Sequence, residues 1–180
     1  MRTGNTGNTG SAGSTGSTGN NRYRRQHGEH GGAMASAESI DLIRLEGEDN
    51  SVTVRITGKR PAPGRSGVEV LVGEILVDTA FVRGSLATSV SPEDLTEWRE
   101  TLDALDGGED RTWRAGRRDP ELSVELDPDG ELAHVTIADH SMSLTSVTAT
   151  VTLTDEWFDE AYERLDETLR TWPVEGALRG

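Results

Sequence analysis

Cysteine is absent from the 180-residue chain, and long apolar runs are absent as well. The first absence excludes disulfides, thiol catalysis and cysteine-ligated metal sites. Because no run of eighteen apolar residues occurs, we expect no membrane-spanning helix. The first residues also lack the apolar segment of a secretory signal, so we expect a cytoplasmic protein.

Basic residues are scarce. The chain has 18 Lys and Arg against 32 Asp and Glu, a formal net charge of −14, and its only lysine is Lys59. Nucleic-acid binding draws its affinity from clustered basic side chains, so the charge has the wrong sign for that function. A protein partner, and a basic one in particular, suits this charge better.

Residues 1–33 differ in composition from the rest of the chain. Gly, Ser, Thr and Asn occupy 21 of these 33 positions, and glycine recurs at every third position from Gly4 to Gly19. Such a segment has almost no apolar surface to bury, so we expect it to be disordered. The repeat lacks the proline of collagen, which excludes a triple helix.

This tail has two interpretations. Its net charge is +3, whereas residues 34–180 carry −17, so the tail could be a basic arm built on residues 22–25. Alternatively, translation begins at Met34, since Gly31 and Gly32 can be encoded by a purine-rich ribosome-binding sequence. We favour the start at Met34, and expect residues 34–180 to form one domain.

The remaining sequence alternates between strand and turn patterns. Val52, Val54 and Ile56 alternate with polar residues, as in a strand with one buried face. Gly73 and Gly84 interrupt the most β-branched stretch, which indicates bulges or close backbone approaches. The predicted strands are residues 40–46, 51–58, 68–78, 80–90, 111–114, 121–127, 131–138 and 143–153.

Two helices are predicted from caps and apolar spacing. Ser91 is a good N-cap, Pro92 suits the first helical position, and Asp94 stands where a capping-box acid reaches back. Thr154 caps the second helix, and Pro173 stops it. The apolar stripes, which we expect to be buried, are Leu95, Trp98, Leu102 and Leu105 in the first helix and Phe158, Ala161, Tyr162, Leu165, Leu169 and Trp172 in the second.

The element order is therefore ββ-ββ-α-β-ββ-β-α. Runs of strands separated by turns, with only two helices, predict an α+β domain with a largely antiparallel sheet. Two arrangements remain open at this point. Either one curled sheet is covered by the helices, or two sheets pack together with the helices at one side.

Three segments carry a family resemblance. They are DLIRLEGEDNSVTVRITG, ILVDTAFVRGSLATSVSPEDLTEWRETLDAL and the closing RTWP. Over residues 40–174 the chain resembles a family of uncharacterised actinobacterial proteins, itself similar in layout to Wap-type immunity proteins, which neutralise toxins of bacterial competition systems. The resemblance implies an immunity or antitoxin-like role and brings no active site with it.

Catalytic and metal-binding patterns are weak. The histidines of the domain, His134 and His140, are interpreted as surface residues rather than a catalytic or metal pair. His27 and His30 lie in the tail, and the acids around residues 127–130 lack the spacing of a calcium loop. No phosphate-binding glycine motif occurs, so nucleotide binding has no support in the sequence. Taken together, these patterns lead us to expect no metal and no cofactor, and to favour a non-enzymatic protein.

Surface acids and one aromatic residue remain as candidates for partner binding. Glu93, Glu97 and Glu100 are spaced to share one outer strip of the first helix. Such a strip could steer a basic protein partner. Trp113 is the candidate anchor, because Trp dominates interface hot spots, with a buried position under the first helix as the alternative. Competing hypotheses are an accessory or regulatory protein and an enzyme with a cryptic carboxylate site.

Overall fold

The computed structural model describes residues 39–129, 132–141 and 143–177. The predicted tail, residues 1–33, lies outside these ranges. The chain forms two four-stranded antiparallel sheets, each followed by a helix. This confirms the α+β prediction, and of its two open arrangements the structure has the one with two sheets.

Each sheet is a meander in which consecutive strands pair. Sheet A contains β1 (Ile40–Glu46), β2 (Ser51–Pro61), β3 (Glu69–Asp78) and β4 (Arg83–Val90). Helix α1 (Pro92–Asp106) leads to sheet B, which contains β5 (Arg111–Trp113), β6 (Glu121–Leu126), β7 (Leu132–Ala138) and β8 (Ser146–Thr152). Helix α2 (Asp155–Thr171) follows. The chain is thus two successive ββββα units.

The two helix starts form as the sequence predicts. The Ser91 side chain accepts a hydrogen bond from the Asp94 amide, and the Asp94 side chain accepts one from the Ser91 amide. The Thr154 hydroxyl accepts a hydrogen bond from the Trp157 amide at 3.2 Å. Each cap satisfies amides that a helix start leaves without an intrahelical acceptor.

The glycines of sheet A have different roles. Gly73 of β3 lies opposite the register shift between Ile56 and Gly58 of β2. A Cβ at residue 73 would stand 1.8 Å from the Arg55 carbonyl oxygen, so this position requires glycine. Gly84 pairs regularly with Val77 and has open space beside it, so the predicted irregularity is found at Gly73 only.

One buried cluster joins both sheets and both helices. Val54 of sheet A, Val135 of sheet B and Trp98 of α1 are all fully buried members of it. Of the stripe predicted to be buried in α2, Ala161 and Leu165 are buried. The other four residues are only partly buried, and at the last of them the backbone leaves the helix: Phe158, Tyr162, Leu169 and Trp172. Among the described residues, no helix is both long and apolar enough to cross a membrane.

Candidate functional site

The helices hold most of the excess negative charge. Together α1 and α2 contain thirteen acidic residues and three arginines, a net of −10 out of the −14 of the whole chain. Residues 40–90, which form sheet A, contain seven acids and six bases. The charge is therefore concentrated in the helical part of the domain.

Two side-chain contacts join the helices. Arg99 of α1 donates to Asp166 of α2 at 3.1 Å, and the Tyr162 hydroxyl of α2 donates to Asp103 of α1 at 2.7 Å. As the sequence advances along α1, the contacted residue on α2 recedes, so the helices run antiparallel. Burial, followed by the hydrogen bond to Asp103, raises the pKa of Tyr162 above its ordinary range, which keeps this hydroxyl protonated as a donor.

This side-by-side arrangement merges the outer faces of the two helices. Their exposed acids form what we call the helical acidic surface, defined as Glu100, Asp103, Asp106, Asp159, Glu163, Asp166 and Glu167. The three bases of the two helices are Arg99, Arg164 and Arg170. A surface of one sign raises the local concentration of oppositely charged ligands and speeds their association.

The three glutamates predicted as one strip do not act as one. Glu93 and Glu100 are exposed, and Arg65 approaches the Glu93 carboxylate at 3.8 Å. Glu97 is bound at both carboxylate oxygens, which accept hydrogen bonds from the Arg114 amide at 2.7 Å and the Arg117 guanidinium at 2.8 Å. The strip is interrupted at Glu97, which is committed to contacts inside the protein.

Trp113 is fully buried. Its indole N–H donates to the Asp94 carbonyl oxygen at 2.8 Å, and its ring meets Trp98 edge-on with ring centroids 5.9 Å apart. The residue therefore has no free surface with which to anchor a partner. The alternative position, beneath the first helix, is the one that the structure shows.

Sequence reasoning missed an ion cluster beneath the start of α1. Asp94 is 5% exposed, and its carboxylate accepts hydrogen bonds from Arg114 at 2.9 Å and from Arg117, besides the capping bond from Ser91. We call Asp94, Arg114 and Arg117 the Asp94 cluster. The two arginines compensate the charge of this carboxylate, because burial of the charge without such partners would be costly.

Arg114 connects three parts of the fold. It is fully buried, it has a left-handed φ of 64°, and its guanidinium lies 4.1 Å from the centre of the Trp113 ring. It donates to the Thr88 hydroxyl at 3.0 Å and to the Ser89 carbonyl oxygen, both at the end of β4. Burial lowers the pKa of Arg114, and the charge of Asp94 opposes that shift.

A cleft of about 390 Å³ opens beside this cluster. The loop between β2 and β3 contributes Ala62, Pro63 and Arg65 to its wall, and the start of α1 contributes Glu93. Asp94 and Arg117 also line it. Of the lining carboxylates, Glu93 and Asp94 are paired with arginines, which favours a structural use of these two over proton transfer.

The two histidines of the domain lie in separate settings. His134, on β7, is exposed and its ring nitrogen stands 3.3 Å from the Thr150 hydroxyl. His140 follows β7 and lies 2.9 Å from the Glu121 carboxylate, whose pKa is lowered by that hydrogen bond. Within the described ranges no three His, Asp or Glu residues are grouped to hold a metal ion.

Comparison with known proteins places the chain in a family. A family model described as a family of unknown function, DUF5959, matches residues 40–173. The chain belongs to this family. The match spans all eight strands and both helices, so the DUF5959 domain and the folded unit described above coincide.

No curated protein matches the chain. Among solved structures, it is similar to that of the plant transcriptional regulator PBF-2, with a TM-score of 0.41 and 16% identity over 74% of this chain and 80% of that one. Likeness at this level carries no argument about what the DUF5959 chain does.

Proposed function

We propose that this DUF5959 protein is a non-enzymatic binding domain that takes a basic protein partner on its helical acidic surface. The observation that supports this is the antiparallel contact of α1 and α2, held by Arg99–Asp166 and Tyr162–Asp103. It brings the acids of both helices onto one face. Neither helix alone would present so broad a surface of one charge.

The placement of the charge supports binding over general solubility. A coat that serves only solubility needs no particular distribution, yet the helices carry −10 while residues 40–90 carry −1. A one-sided field orients an approaching cationic partner as well as attracting it. The same sign repels the phosphate backbone of nucleic acids.

The partner we propose is a basic toxin of a bacterial competition system. The support is the resemblance to actinobacterial proteins laid out like Wap-type immunity proteins, together with the acidic surface. Such a protein would act in the cytoplasm of the producing cell. A second candidate function is that of an accessory protein. It would bind a basic cellular protein, in place of a toxin, on the same helical acidic surface.

Affinity capture separates these two candidates. The whole chain is immobilised and exposed to lysate of the native host, and the bound protein is identified by mass spectrometry alongside the genes adjacent to its own. A basic toxin encoded nearby supports the immunity proposal. A basic housekeeping protein supports the accessory one, and a captured protein that is not basic contradicts both.

Charge removal on the acidic surface should slow association. Among the described residues, Glu100, Glu163 and Glu167 are exposed and show no hydrogen bond or ion pair, so their change to glutamine should leave the fold intact. We expect the triple variant to associate about tenfold more slowly with the captured partner at low salt, and with a flatter salt dependence. Stopped-flow kinetics over a salt series measures both.

A matched variant controls for net charge. Glu48 and Asp49, on the turn between β1 and β2, and Glu125, on β6, are also exposed and belong to neither helix. Their change to Gln, Asn and Gln removes the same charge and should alter the on-rate far less. Equal slowing by both triple variants, or an on-rate that ignores salt, would rule out steering by the helical acidic surface.

A further inference from the structure

Three of the four sheet edges are covered by other parts of the chain. At the β1 edge, the Trp157 indole of α2 donates to the Arg44 carbonyl oxygen at 2.7 Å. At the β8 edge, the Asn50 side chain donates to the Thr150 carbonyl oxygen at 3.2 Å. The β5 edge is only three residues long and lies against α1 through Trp113. Covered or very short edges resist pairing with another chain.

The fourth edge, β4, is open along most of its length. Its residues pair with β3, and at its end the outward-pointing Ser89 carbonyl oxygen is bound by Arg114. Residues two positions apart in a strand direct their backbone groups to the same side. The N–H and C=O groups of Ser85 and Ala87 therefore point away from β3, and neither residue has a hydrogen-bond partner there among the described residues.

An apolar groove lies directly beside this open edge. It has a volume of about 390 Å³ and runs between the sheets. Leu86, on the inner side of β4, is half-buried at the groove, so an added strand would cover apolar surface as well as satisfy backbone groups. The apolar side chains of the groove wall are Ile75, Val77, Val82, Leu86, Ile137 and Val147.

Charge decides what can approach this edge. A second copy of the chain brings its own −14 and is repelled at the helical acidic surface. Sheet A is close to neutral, and Arg83 of β4 is paired with Asp78 at 2.8 Å. A second copy can therefore approach through β4 while the acidic helices of the two molecules remain in solvent.

We propose that β4 pairs with the β4 strand of a second copy, antiparallel and centred on Leu86. In this register Ser85 faces the second copy's Ala87, and no like charges stand opposite one another over the part of the edge that Arg114 leaves open. The two Leu86 side chains meet beside the grooves. Two four-stranded sheets become one continuous eight-stranded sheet with two-fold symmetry.

The proposed dimer is independent of the basic partner proposed above, because the two proposals use different residues, those of β4 in one and the exposed acids of α1 and α2 in the other. The salt dependence of binding distinguishes the two proposed interactions. Binding on the acidic surface weakens as salt rises, whereas pairing of near-neutral, partly apolar edges should hold or strengthen. Either proposal can therefore fail without the other.

Light scattering and amide exchange test the pairing on the whole chain. Over a concentration series we expect the mass to rise from 19.4 kDa towards twice that value. Hydrogen exchange should show the Ser85 and Ala87 amides unprotected in dilute protein and protected at high concentration. A wild-type chain that stays monomeric throughout overturns the proposal, as does a dimer in which these two amides remain unprotected.

Two variants locate the contact. Ala87→Pro removes an outward N–H that the monomer does not use, which edge strands tolerate. Leu86→Lys places two like charges face to face across the two-fold axis. Each should raise the dimer dissociation constant at least about tenfold, from lost hydrogen bonds or from repulsion.

A control keeps the result interpretable. Leu132→Lys introduces the same charge at an exposed leucine of β7 and should leave the dimer unchanged. Circular dichroism establishes that each variant is folded. If Ala87→Pro unfolds the domain, Leu86→Lys decides, and a folded Leu86→Lys variant that dimerises like the wild type overturns the proposal.

Discussion

Replacement of Trp98 by alanine is expected to lower the free energy of unfolding by about 3–5 kcal/mol, the range for a large aromatic side chain removed from a packed core. Trp98 is fully buried on the inner face of α1 and contacts the ring of Trp113 edge-on. The variant leaves a cavity between the helix and the sheets, which the rigid strands can refill only in part. Denaturant unfolding followed by fluorescence and circular dichroism gives the value.

Trp172→Ala is the matched comparison, since it removes the same side chain from a partly buried site. We expect it to cost about 1–2 kcal/mol, because less apolar surface returns to water. Trp98→Phe adds a second comparison. The Trp98 indole N–H is buried without a partner among the described residues, so phenylalanine should recover most of the lost stability. Equal costs for the two alanine variants would contradict this account of the core.

Local patterns were sufficient to predict most of the fold. Alternation in Val52, Val54 and Ile56 predicted β2, and the Ser91–Asp94 pair predicted the start of α1 and its capping box. These features depend on residues close together in sequence, whose geometry is fixed by strand and helix periods. The choice between one curled sheet and two sheets could not be made in this way, because it depends on whether strands on either side of α1 pair with each other.

Candidate site residues were harder to predict for the same reason. Glu93, Glu97 and Glu100 do share a helix side, but Arg117, twenty positions beyond Glu97, pairs with the Glu97 carboxylate. Helical spacing predicts the direction in which a side chain points. It does not predict which residues from distant parts of the sequence will contact that side chain. Periodicity likewise placed Trp172 in the core, since it does not detect a backbone that leaves the helix one residue earlier.

The Asp94 cluster had only an indirect signal in the sequence. Asp94 was recognised as a capping acid, which explains one of its hydrogen bonds. Four arginines among residues 111–118 gave no sign that one of them, Arg114, would be fully buried. Burial of an arginine requires several acceptors to converge, and here they come from β4 and α1, which are separated from it by about twenty residues or more.

The second large effect is expected at this cluster. Asp94→Ala should lower the free energy of unfolding by about 3–5 kcal/mol, the cost of leaving one member of a buried ion pair without the other. Arg114 cannot escape to water, since its side chain is fully buried, and it does not lose its proton in proteins. Loss of the capping bond to Ser91 is part of the same cost.

An exposed pair supplies the control. Asp78 and Arg83 form an ion pair of similar length, 2.8 Å against 2.9 Å, with side chains 47% and 81% exposed. Asp78→Ala should cost no more than about 1 kcal/mol, because water screens the pair and solvates what remains. Comparable costs for Asp78→Ala and Asp94→Ala would show that burial of the Asp94 cluster contributes nothing.

A double replacement separates the ion pair from the burial of the site. In Asp94→Ala with Arg114→Met, no unpaired charge remains under α1, and the methionine can still pack against Trp113. We expect the double variant to be about 1–3 kcal/mol more stable than the sum of the single losses predicts. Arg114 also binds the end of β4 through Thr88 and Ser89, so the double variant should make the backbone at that end more mobile.

Faster amide exchange near residue 89, with exchange in the rest of sheet A unchanged, would show that the Asp94 cluster holds the end of β4 in place. Strict additivity of the two losses would mean that Asp94 and Arg114 act separately, and that the junction between the two ββββα units is held by apolar packing alone.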